Sequence, residues 1–69
     1  MNLHHLRAFL AVARTGGFTQ AARELHLTQP TVSSSVAELE RGMGVRLFNR
    51  GSRRAELTIE GRTLMGYAL

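Results

Sequence analysis

The sequence predicts a small, mainly α domain with one short basic hairpin, and three observations carry that expectation. Apolar residues recur at helical spacing in several separate runs, and glycine, threonine or proline stands at the breaks between them. Two brief apolar stretches, Leu47-Phe48 and Ala55-Glu56-Leu57, flank a tip of Asn, Arg, Gly and Ser. Finally, a chain of 69 residues buries only about 60% of its unfolded surface, enough for one core. Two packed domains, a repeat array and a deep enzyme cleft are not expected.

The first helix is expected over roughly Leu3 to Thr15. Leu6, Phe9, Leu10 and Ala13 share a stripe that Leu3 extends by one turn, and Arg7 and Arg14 lie off it. Gly16 and Gly17 stop this helix, because glycine takes the left-handed conformation common at helix ends. Thr19 is a good cap for a second helix, its hydroxyl accepting an orphan N–H. Ala21, Ala22 and Leu25 give that helix a short apolar face, and it ends near His26.

Leu27-Thr28-Gln29-Pro30-Thr31-Val32 announces a third helix. With Thr28 as the cap, Leu27 and Val32 take the staple positions and Pro30 falls in the first turn, where its missing N–H costs nothing. The avoidance of helical angles before proline favours Gln29 as the cap instead, so either start stands. Val32, Val36 and Leu39 run inward, and Gly42 and Gly44 close the helix. Thr58 caps a fourth helix carrying Leu64, Met65 and Ala68 on one side, a face that belongs either to the core or to a seam with a second subunit.

Charge is concentrated in one place. All nine basic residues are Arg, and the formal net charge is +4. Arg46, Arg50, Arg53 and Arg54 lie in one stretch without an acid, and the remaining five Arg and five Glu cancel. A compact body with one cationic protrusion suits a polyanion. The absence of cysteine excludes disulfides, thiolate zinc sites and a thiol nucleophile. No apolar run approaches a membrane span, and no signal-peptide pattern opens the chain, so an intracellular protein is expected. His4, His5 and His26 lack metal-ligand spacing. With no Asp and no nucleophile elbow, a serine hydrolase is a poor fit.

Three short helices followed by a basic hairpin form the layout of a winged helix-turn-helix. From Thr28 to Ala37 the third helix carries no charge, only hydroxyls, the Gln29 amide and Pro30. Its acids, Glu38 and Glu40, come later and read as surface charges. Short uncharged side chains let a helix backbone approach base edges. Gln can bond adenine in bidentate fashion, Ser and Thr can bond bases or phosphates, and Pro30 or a Thr methyl can touch a thymine methyl. The helix starts at Thr19 and Thr28 favour phosphate through their free N–H groups. The hairpin arginines are expected on phosphates or in a narrow minor groove.

The run FTQAARELHLTQPTVSSSVAELERGMGVRLFNR, followed by RRAELTIEG, resembles the DNA-binding domain of the LysR-type transcriptional regulators over nearly the whole chain. The specific elements are Ala21-Ala22, Thr28 to Ser33, Leu39-Glu40, Gly44 to Arg50, and Leu57 to Gly61 with its Leu-Thr and Gly. The resemblance implies a winged helix-turn-helix over 1–58, with 59–69 beginning a linker helix that pairs subunits. A recognition helix over about 29–42 would enter the major groove, with Gln29, Pro30, Thr31, Ser33 and Ser34 facing it. A wing over about 47–57 would bring Arg50, Arg53 and Arg54 to the backbone or minor groove. The resemblance further implies a bacterial, cytoplasmic homodimer or tetramer binding interrupted palindromes in double-stranded DNA. It would answer a small-molecule effector sensed by a C-terminal domain outside this chain.

Many relatives place a long, often basic, side chain after the position of Ser33, whereas Ser34 and Ser35 follow here. Bidentate reading of guanine is therefore not expected, and dependence on A·T steps, thymine methyls and DNA shape is. No enzyme activity, cofactor, metal or membrane partner is expected. The competing functions are a winged-helix protein-interaction module without DNA and, less favoured, a binder of anionic membrane surfaces; the wing lacks the exposed aromatic the latter would need.

Overall fold

In the computed structural model, which describes residues 2–49, 51 and 53–68, the first helix begins where a side chain can close it. Asn2, in extended backbone, accepts the His4 N–H at 2.7 Å, and α1 (Leu3–Thr15) runs to Gly16, left-handed at φ 85°. The expected bounds hold, but the helix is rotated from the expected stripe. Ala8, Phe9, Ala11 and Val12 are its buried residues, whereas Leu6, Leu10 and Ala13 pack at the margin. Leu3 falls on the far side and is 75% exposed. Small residues face inward because both other helices of the core cross α1 closely.

α2 (Phe18–Leu25) does not use Thr19 as its cap. Only Gly16 and Gly17 separate it from α1, so the helix must begin at once for Phe18 to reach the interior. Gly17 is the capping residue, accepting the Ala21 N–H on its carbonyl at 3.1 Å, and no side chain caps the end. Thr19 is exposed in the first turn. His26 closes α2 at φ 57°, and the Leu27 N–H returns to the Ala22 carbonyl at 2.9 Å, satisfying the last turn.

Thr28 caps α3 (Gln29–Met43), its hydroxyl accepting the Thr31 N–H at 3.3 Å. Pro30 sits in the first turn. Val32, Val36 and Leu39 form the buried face, as their spacing predicts. Gly44, at φ 70°, ends the helix; Gly42 stays inside it, since a glycine lowers helix stability by only about 1 kcal/mol.

Residues 45–58 return across the core as a wing. Leu47 and Phe48 are buried, and Phe48 stacks obliquely on Phe9 (5.4 Å between centroids) and edge-on to Phe18 (5.7 Å). Among the described residues the wing has no regular strands: one antiparallel bridge joins Phe48 to Leu57, with the Asn49 N–H on the Glu56 carbonyl at 2.8 Å. The expected two-stranded ladder is cut short because the Ala55 N–H turns aside to the Gly16 carbonyl at 3.0 Å.

The Thr58 hydroxyl accepts the Gly61 N–H at 3.0 Å and donates to the Arg46 carbonyl at 2.6 Å, starting α4 (Ile59–Ala68) against the root of the wing. Leu64 joins the core and Met65 packs against it; the Ala68 side chain lies outside the described residues. Phe9, Val12, Val32 and Leu47 are the largest fully enclosed side chains, and no buried polar side-chain atom among the described residues lacks a partner.

Candidate nucleic-acid interface

The α2–α3 pair is joined by three residues, His26 to Thr28, and the left-handed His26 makes that turn tight. The turn leaves the start of α3 projecting. Thr28, Gln29, Pro30 and Thr31 are all exposed, and the only polar contact among their side chains is local, the Thr28 hydroxyl donating to the Thr31 oxygen at 2.9 Å. That contact leaves the Thr31 hydroxyl proton and the Gln29 amide available.

Beyond the first turn the polar residues divide between two sides of α3. Ser33, half-buried, lines a cleft of about 240 Å³ whose opposite wall carries Arg53 and Arg54 of the wing. Ser34 lies on the other side, with Pro30 and Thr31 along a shallow depression that also includes His5 and Glu38. Of the expected helix residues, Ser33 shares a cleft with two of the expected arginines, whereas Pro30, Thr31 and Ser34 lie along the other side of α3. Arg50 lies outside the described residues.

Arg53 and Arg54 are exposed. Among the described residues two ion pairs occur, Arg14 with Glu24 and Arg41 with Glu38, and neither uses Arg46, Arg53 or Arg54. The cationic excess of the wing is therefore not neutralised by these pairs. The Arg54 guanidinium folds back over the α1–α2 turn, where a β-carbon on Gly16 would stand 3.3 Å from it. It thus lies beside the start of α2, whose N–H groups have no side-chain cap. Thr19, although no cap, is exposed on that same first turn.

Glu40 departs from expectation. It is half-buried, and one carboxylate oxygen accepts the Leu47 N–H at 2.8 Å and the Phe48 N–H at 3.4 Å. The usable sequence signal was its place one turn before the Gly44 reversal, close enough for a helix side chain to meet the returning strand. Among the described residues, no group of three or more histidine and acidic side chains gathers to hold a metal ion. None of the described helices is long and apolar enough to cross a membrane.

A tight two-helix turn with a projecting second helix whose first half is uncharged, flanked by a cationic wing, defines a winged helix-turn-helix. Residues 3–62 match the model of the bacterial regulatory helix-turn-helix proteins of the lysR family, and the chain belongs to that family.

An uncharacterized HTH-type transcriptional regulator in the ibpB–leuC intergenic region of Azotobacter vinelandii is 52% identical over 65 residues, spanning 94% of this chain and 45% of its own length. The HTH-type transcriptional activator CmpR of Synechocystis is 46% identical over 63 residues, covering 91% of this chain and 21% of its own. The chain therefore spans less than half the length of these curated relatives. The crystal structure of the BenM DBD in complex with benA site 1 DNA superposes with a TM-score of 0.95 at 43% identity, over 99% of this chain and 76% of that one.

Proposed function

We propose that this chain is the DNA-binding part of a transcriptional regulator, which grips double-stranded DNA with α3 in the major groove and the wing beside it. The observation that carries the proposal is the cleft shared by Ser33, Arg53 and Arg54, which sets a hydroxyl of α3 opposite two exposed cations that neither ion pair found among the described residues uses. Gln29, Pro30, Thr31, Ser33 and Ser34 face the groove, where short side chains permit close approach to base edges. Thr28 and Thr19, at the starts of α3 and α2, meet phosphates through helix N–H groups, and Arg54 stands next to the α2 start. Arg53, Arg54 and Arg50 contact the backbone or the minor groove.

The relatives support this reading, being named regulators of transcription rather than enzymes, and one superposed neighbour is a DNA complex. No observation favours a protein-interaction module instead. Residues 1–58 act as the DNA-binding unit, and 59–69 begin a linker helix that pairs two subunits. Exposed Ile59 and buried Leu64 suit a helix that docks inward and still offers apolar surface outward. The whole regulator works in the bacterial cytoplasm as a dimer or tetramer on an interrupted palindrome, and a small molecule sensed outside this chain governs it.

Selection of duplexes from a random pool, followed by anisotropy titrations of the enriched and a scrambled duplex, tests the proposal. Enrichment of a two-fold site with salt-sensitive affinity is expected. Equal, salt-insensitive binding to both duplexes would overturn it.

A further inference from the structure

We propose that Glu40 is a positioning residue that holds the wing at a fixed attitude to α3, so that the helix and the wing arginines engage one duplex together. The proposal rests on the DNA-binding function above. Glu40 lies on the side of α3 that faces the wing, two helical turns beyond Ser33 and in the same cleft as Arg53 and Arg54. An acid there opposes an approaching phosphate backbone, so its presence calls for a structural reason.

That reason is visible in its contacts. The carboxylate reaches across the Gly44 reversal to the Leu47 and Phe48 N–H groups, at 2.8 and 3.4 Å. Both amides stand at the root of the wing: the Leu47 carbonyl accepts the Thr58 N–H at 3.0 Å, and Phe48 bridges to Leu57. Among the described residues no other α3 side chain hydrogen-bonds to the wing. Buried Leu47 and Phe48 anchor the wing root in the core, and Glu40 adds the side-chain hydrogen bonds that tie that root directly to α3.

A double-mutant cycle tests this on the full chain, with a duplex enriched from a random pool and a scrambled duplex of equal length as probes. In the wild-type background, R53A/R54A is expected to weaken binding roughly tenfold and to make the log–log salt slope shallower by about 1 to 2. In the E40A background the same pair should cost less than about twofold, because wing and helix are already uncoupled. E40Q keeps an oxygen acceptor and should preserve the full arginine effect.

An undiminished arginine penalty in E40A, or an E40Q chain as uncoupled as E40A, would overturn the proposal. A purely structural loss would lower the active fraction without altering the slope. If E40A has no cooperative melt, E40D, one methylene too short to reach both amides, replaces it in the same cycle. A wild-type chain that binds neither duplex would sink the DNA-binding function, and this coupling with it. A wild-type chain that binds, with additive effects, sinks the coupling alone.

Discussion

Gly61 lies against the backbone of Leu47: a β-carbon on Gly61 would collide with the Leu47 carbonyl oxygen and stand 2.9 Å from a methyl of Leu57. Only a residue without a side chain lets the first turn of α4 lie on the root of the wing. Gly61 thus permits the pair of bonds that Thr58 makes to Arg46 and Gly61.

Gly61→Ala should therefore lower stability by about 1 to 3 kcal/mol, the range for overpacking, despite the better helix propensity of alanine. Gly42→Ala is the matched comparison, since nothing lies within 4 Å of its added carbon. That variant should gain up to about 1 kcal/mol. Urea denaturation of both chains checks the contrast, and equal effects would contradict the close approach.

Phe48→Ala should cost about 3 to 5 kcal/mol, because the ring is buried between Phe9 and Phe18. Set against a total of about 5 to 15 kcal/mol for a natural domain, that is enough to leave much of a chain this small unfolded. Thermal melting followed by circular dichroism would show it as a lowered or missing transition.

Thr28→Ala removes the cap of α3 and should cost about 0.5 to 2 kcal/mol. Thr19→Ala should change stability by less than about 0.5 kcal/mol, since Thr19 is exposed and caps nothing. A Thr19 effect as large as that of Thr28 would place the α2 start elsewhere. On DNA, both substitutions should weaken binding about equally on every sequence.

Gln29→Ala should cost about 1 to 3 kcal/mol on the enriched duplex and little on a scrambled one. Arg53→Ala and Arg54→Ala should weaken both duplexes alike. With about four phosphate contacts the wild-type slope of log affinity against log salt should be near −3 to −4, and each arginine removed should shorten it by roughly 1. Titrations at four salt concentrations separate the two classes. A Gln29 effect identical on both duplexes would remove that residue from base reading.

Local chemistry made much of this structure legible in the sequence. The glycine stop at Gly16 and the Thr58 start of α4 each depend on residues within a few positions and stand where expected, and of the two caps open to α3 it is Thr28 that forms. What escaped depends on distant partners. The inward face of α1 follows from how closely the other helices cross it, so alanines replaced the leucine stripe. Thr19 lost the capping role because Phe18 is drawn toward Phe48, thirty residues away in sequence. Glu40 looked like a solvated charge because its donors are the amides seven and eight residues on, across a reversal.

The same split held at the candidate interface. Exposure of Gln29, Pro30 and Thr31 follows from the short turn before them, which composition reveals. The fold-back of Arg54 over Gly16 depends on the Ala55 N–H reaching the Gly16 carbonyl, a contact that joins two segments almost forty residues apart.

Anchoring both limbs of the wing in hydrophobic side chains, Leu47 and Phe48 on one and Leu57 on the other, makes the protrusion an interchangeable fitting on a permanent mount. Exposed side chains on the span between them, such as Asn49 and Arg53, can be exchanged without disturbing the body that carries them. Drift in those few residues would then retune how firmly the domain clings to any duplex, while the vocabulary of the helix beside it stays unchanged.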